Sequence, residues 1–259
     1  MRKAGAILRI LGIYLVFLFL PTGIWMAVSL LIPNKAEAVL SFLSNFATLL
    51  TAILLLALYC LREIPLKESI GWDPPTAGFS PHIAAFVLGI FGNHAVSFIM
   101  NFLPESWLTS YAEQSASVFD PNQSLVSILA IVLAAPVGEE LIFRGMIFRS
   151  ARRAFPLGWA AALSAILFGA AHLHPLWICY AFAMGFCFAI MVDRRASVSV
   201  SIAAHIGFNL ASLPSFLLTE SSLWNQLLYG TIERYLAFGV GSILVCIWIW
   251  YRFFSRRFQ

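Results

Sequence analysis

The chain has 259 residues, of which 61% are hydrophobic and only 11% charged, with 23 Phe and 8 Trp. A soluble domain carries about 25% charged residues and could not hide this much apolar surface, so a cytosolic enzyme is excluded. The net charge of +4 comes from 16 Lys and Arg against 12 Asp and Glu, which leaves no basic surface large enough for nucleic acid.

In chain order, predominantly apolar runs fall at 6–32, 39–61, 81–103, 124–148, 157–172, 176–192, 198–218 and 235–254. Each approaches the ~20 residues that cross ~30 Å of hydrocarbon, and only helices or closed barrels satisfy their backbone in lipid. The expected fold is therefore all-α, a polytopic membrane helix bundle of about eight transmembrane helices. The first run follows Met1-Arg2-Lys3 and precedes Ala36-Glu37-Ala38, which resembles an export signal and its cleavage site. At 27 residues it is about twice the length of a signal's apolar region, so it reads as a retained first helix. The fifth and sixth runs are joined only by Leu173-His174-Pro175 and form a tight hairpin. The polar links at 62–80 and 104–123 are too short to be domains, so one membrane domain fills 1–259. Cys60, Cys179, Cys187 and Cys246 all lie inside apolar runs and read as small buried hydrophobes, with neither a disulfide framework nor a zinc knuckle.

The loops give the orientation. With both termini in the cytoplasm, the cytoplasmic segments hold Arg2, Lys3, Arg9, Arg62, Lys67, Arg149, Arg152, Arg153, Arg194, Arg195, Arg252, Arg256 and Arg257, and the external ones only Lys35 and Arg234. That bias is the one that sets membrane topology. A compact chain of this kind suits a prokaryotic cytoplasmic membrane.

The remaining basic residue, Arg144, lies inside the fourth span with Glu139 and Glu140. A charge at mid-bilayer costs about 2.5–3.5 kcal/mol on insertion scales, so three within six residues require a reason. Glu140 and Arg144 are four apart, nearly eclipsed on a helix, and pair in the favourable acid-before-base order. Glu139 points about 100° away and is left to act as a base. Pro136 and Gly138 weaken the helix just before the pair, which would help to open a wet cavity. His172 ends the fifth span, and His205 and Asn209 share one face of the seventh. Counted from the cytoplasmic ends, Glu139 lies ~15 Å deep, His172 ~22 Å, His205 ~11 Å and Asn209 ~17 Å, so all four can reach a common layer. His174 is expected at the interface and His82 at a span end. Asn93 and His94, in the third span, are placed to support a cavity.

Glu139-Glu140-x-x-x-Arg144, Phe168-x-x-x-His172 and His205-x-x-x-Asn209 together resemble the three motifs of the type II CAAX prenyl endopeptidase and bacteriocin-processing (CPBP, or Abi) intramembrane proteases. The order is the family's, no key position is substituted, and the likeness covers roughly 131–215, inside a catalytic core placed at 124–218. The resemblance implies that Glu139 and His172 activate a water, that His205 and Asn209 stabilise the tetrahedral oxyanion, and that Glu140 and Arg144 orient the site. The chemistry of the side chains agrees: carboxylate and imidazole move protons, and an amide and a ring N–H donate to an oxyanion.

Because the family has also been described as metalloproteases, zinc held by Glu139, His172 and His205 with Glu140 as base is the alternative. The absence of an HExxH pair and the partnership of Glu140 with Arg144 favour a site without metal or other cofactor. The partners expected are the lipid bilayer and a membrane-anchored peptide or protein substrate, with lipidated proteins and sorting tails both in view, and no nucleic acid. Competing readings are a proton- or ion-coupled transporter using the same acids and histidines, a non-catalytic scaffold or immunity protein, and, remotely, a bis-histidine haem protein. Against transport, the Pro136–Gly145 segment has no second copy in the chain.

Overall fold

The computed structural model describes residues 3–31, 37–60, 79–118, 125–195, 197–217, 228 and 230–256, and every regular element among them is a helix. They are α1 (Lys3–Leu31), α2 (Glu37–Cys60), α3 (Ser80–Met100), α4 (Glu105–Val118), α5 (Leu125–Arg152), α6 (Leu157–Ala170), α7 (Pro175–Arg195), α8 (Ser199–Leu217) and α9 (Ile232–Phe254). Five of them (α1, α3, α5, α7 and α9) are long and apolar enough to cross a membrane, and α2, α6 and α8 add shorter apolar stretches. These eight occupy the eight apolar runs. The link at 62–80 falls almost entirely outside the described residues.

The departure is α4, which occupies the link at 104–123. Its sequence, Glu-Ser-Trp-Leu-Thr-Ser-Tyr-Ala-Glu-Gln-Ser-Ala-Ser-Val, is too polar to be a span. It is anchored instead on the α6–α7 hairpin, where Ser110 Oγ lies 3.3 Å from His174 Nε2 and the Tyr111 ring packs against His174 and Trp177. His174 is thus a buried clamp rather than an interfacial side chain. The hairpin turns at Leu173, whose φ of 62° is left-handed, and Pro175 opens α7 at a position where its missing N–H costs nothing.

Lipid allows apolar side chains to face outward, and they do: Leu8, Phe19, Leu30 and Trp159 are exposed on the bundle surface. The cysteines follow the same rule. Cys179 and Cys187 are exposed and Cys246 half-buried, which corrects the expectation of buried thiols; all three are free. The dense centre is α5, where Ile142, Phe143, Met146 and Ile147 are fully buried.

Small residues set the closest helix contacts. α3 packs along α8, and a Cβ built on Gly89 or Gly207 would run into the backbone carbonyl of Ala204 or Phe86 respectively. Backbone cannot swing aside as a side chain can. Gly207→Val is therefore expected to cost at least the ~1–3 kcal/mol typical of overpacking, read as a lower melting temperature in detergent, whereas Gly12→Val, where a Cβ meets nothing, leaves it unchanged. Gly138 belongs to the same class. Its Cβ would lie 2.9 Å from the Leu49 backbone, so it lets α5 approach α2 rather than opening a wet cavity, and the helix runs through it.

Cross-links define the two ends of the bundle. At one end Arg152 Nε pairs with Asp193 Oδ1 at 2.9 Å, Arg195 donates to the Phe253 carbonyl, and His82 bonds Ser199 Oγ at 2.7 Å, gathering the ends of α5, α7 and α9 with the starts of α3 and α8. At the other end α4 sits on the hairpin, and Tyr235 Oη donates to the Phe98 carbonyl at 3.5 Å.

Candidate active site

Helix α5 is not a uniform α-helix. Two wider π segments, Ala130–Ala134 and Leu141–Phe148, bracket the α-helical Ala135–Glu140, so the two glutamates sit at a change of helical pitch. Such bulges occur often at functional sites. Within this frame Glu140 and Arg144 keep their expected partnership: Arg144 Nη1 donates to Glu140 Oε1 at 2.9 Å, and both side chains are wholly buried. The guanidinium also lies over the Phe168 ring, 4.3 Å from its centroid, in space that Gly185 of α7 leaves open.

Glu140 Oε1 holds a second partner, His205 Nδ1, at 3.0 Å. A carboxylate that already accepts from arginine can only accept again, so Nδ1 carries the proton and Nε2 is the nitrogen that faces the cavity. It stands 3.7 Å from Glu139 Oε2, too long for a direct hydrogen bond. The adjacent acids therefore diverge: the Glu139 side chain keeps 21% of its surface open, and Glu140 keeps none.

His172 is oriented by the end of its own helix. The His172 backbone N–H bonds the Gly169 carbonyl at 3.0 Å, which leaves the Phe168 carbonyl as one of the orphan acceptors of a helix C-terminus. The His172 ring fills that vacancy, with Nδ1 at 2.9 Å from Phe168 O. A carbonyl accepts only, so Nδ1 is again the protonated nitrogen and Nε2 keeps a lone pair.

Asn209 is held by the same kind of accounting. In the first π segment the Ala135 N–H bonds the Ala130 carbonyl, and the next residue, Pro136, has no N–H. The Ile131 carbonyl thereby loses both its α-type and its π-type partner. Asn209 Nδ2 donates to it at 3.0 Å, which leaves its second N–H uncommitted to that bond.

Glu139, His172, His205 and Asn209 all line one cavity of about 220 Å³. Motif reasoning did not find Tyr111 and Ser115 of α4, Trp177 of α7, or the Ile131 backbone, all of which also line it. Pro136, three residues before Glu139, was the available signal for the last. Asn93 lines the cavity and bonds Ser212 Oγ at 2.8 Å, whereas His94 packs on Phe238 beside a separate cavity.

Among the described residues no three His, Cys, Asp or Glu side chains stand close enough to share an ion. Glu140, the base of the zinc alternative, is already held by Arg144 and by His205 Nδ1.

Residues 121–211 match the family model described as type II CAAX prenyl endopeptidase Rce1-like. Over 161 residues, 61% of this chain, the sequence is 26% identical to a Bacillus subtilis (strain 168) protein named "Putative membrane peptidase YdiL", and the match spans 65% of that protein's length. No solved structure matches the chain. The matched stretch contains all three polar motifs and the π-bracketed acids, so residues 121–211 are similar, in sequence and in the order of their polar groups, to the Rce1-like type II CAAX prenyl endopeptidases.

Proposed function

We propose that this chain is an intramembrane endopeptidase that hydrolyses a peptide bond of a membrane-anchored protein or peptide. The observation that carries the reading is the single cavity onto which Glu139, His172, His205 and Asn209 converge, with the Nδ1 atoms of both imidazoles committed to protein acceptors. A water between Glu139 and His172 gives up a proton to them as its oxygen bonds to the peptide carbonyl carbon. The negative charge that gathers on the carbonyl oxygen meets the free N–H of Asn209 and, when the ring carries a second proton, Nε2 of His205. As the C–N bond breaks, the proton taken from water passes to the leaving amine. Glu140 fixes the His205 ring, and Arg144 holds Glu140.

The test uses purified full-length protein in detergent with labelled, acyl-anchored peptides. Cleavage by the parent protein that persists with chelator and is lost in both Glu139→Ala and His172→Ala, at unchanged melting temperature, is the expected result. Proton-driven uptake in vesicles without cleavage would replace this reading by transport.

A further inference from the structure

Resting on the peptidase reading, we infer that the cavity is served from the membrane face opposite the arginine clusters, so that the substrate is a peptide segment presented on the external side of the bilayer and not a cytoplasmic tail.

The arginine-rich end is fixed by contact as well as by sequence. Arg152 is tied to Asp193 and Arg195 to Phe253, so the C-terminal ends of α5, α7 and α9 share one face, which the charge rule makes cytoplasmic. From Glu139 toward that face α5 presents Glu140, Phe143, Arg144, Met146 and Ile147, each with 0% of its surface exposed. Met191 of α7 and Ser201 of α8, at 0%, seal the neighbouring helices at the same end. Interiors packed at this density offer no passage to a water, still less to a peptide.

Toward the other face the lining opens. Ser97 is exposed and Met100 half-exposed at the far end of α3, and the rest of the rim is Tyr111 of α4 and Trp177 at the start of α7. These residues lie beside the hairpin and α4, the end of the bundle away from the arginines. Charge follows the same division: the only charged side chains of α4 are Glu105 and Glu113, with no lysine or arginine. A scissile segment entering here has already left the hydrocarbon on the external side, whereas a prenylated or sorting tail confined to the cytoplasm faces the sealed end.

The test has two arms. In full-length protein with Cys60, Cys179, Cys187 and Cys246 replaced by alanine, single cysteines are placed at the rim (Ser97→Cys, with Glu113→Cys as a second rim site) and on the arginine face (Arg153→Cys). A membrane-impermeant maleimide is expected to label both rim sites in spheroplasts and not in inverted vesicles, with Arg153→Cys the reverse. Rim labelling confined to inverted vesicles overturns the inference. In sealed proteoliposomes of one mapped orientation, acyl-anchored fluorogenic peptides are then supplied to one side at a time. Cleavage only from the rim side supports the inference. Cleavage only from the arginine side overturns the sidedness and leaves the peptidase reading intact. Cleavage from neither side, in protein whose rim cysteines label from outside, overturns the peptidase reading and with it the substrate assignment.

Discussion

Arg144→Met is expected to destabilise the protein by roughly 3–5 kcal/mol, the cost of leaving one member of a buried ion pair alone, while Glu139→Gln leaves the melting temperature where it was. The contrast arises between neighbouring positions of one helix. Glu140 lies wholly inside protein with Arg144 at 2.9 Å, so removing the guanidinium leaves a buried carboxylate without its arginine, and also empties the space over Phe168. Glu139 borders the cavity and partners no arginine at that distance, so the amide costs the fold little. In the cleavage assay the order inverts: Glu139→Gln is expected to lose about 10²–10⁴-fold in kcat, the usual worth of a positioned acid or base. The double variant Glu140→Gln/Arg144→Met separates charge from shape. If the loss in Arg144→Met is that of an unpaired buried charge, the double variant melts higher than Arg144→Met alone. Equal melting temperatures would assign the loss to packing against Phe168 and not to the ion pair.

How much of this was legible in the sequence depends on which rule a feature obeys. Lipid imposes length and polarity on every span, so the eight apolar runs and the arginine bias stand out without any tertiary information. The Glu140–Arg144 pair was legible because residues four apart remain neighbours even where α5 passes from α to π pitch. The π segments themselves were not, since they have no composition of their own and appear only when backbone partners are counted. Helix α4 was hidden for the opposite reason. It is too polar to read as a span, and what fixes it is contact with His174 and Trp177, residues more than sixty positions away. Gly138 was misread because close approach to Leu49 and helix weakening call for the same residue. Outward cysteines were misread because an apolar context means burial in water but not in lipid.

Pro136 offers the sharpest test of how the site is held together. Its missing N–H is the reason the Ile131 carbonyl stands open, and that carbonyl is what the Asn209 amide bonds. In Pro136→Ala the new backbone N–H can close onto Ile131 and compete with a side chain reaching from α8. Alanine in a helix interior is also favoured over proline by about 3 kcal/mol in intrinsic propensity, so the variant is expected to fold at least as well as the parent. The Asn209 amide, no longer tethered, spends less time aimed at the developing oxyanion. A misplacement of 1 Å can cost ~10²-fold, so kcat is expected to fall by between about tenfold and that limit, with KM little changed because the amide acts on the transition state. Asn209→Ala removes the donor outright and is expected to cost about 10²–10³-fold. Because both changes act through one amide, the double variant Pro136→Ala/Asn209→Ala is expected to be no slower than Asn209→Ala alone. Full additivity would mean that Pro136 serves the reaction by another route, and a Pro136→Ala protein with undiminished kcat would mean that the Ile131 tether is not what orients Asn209.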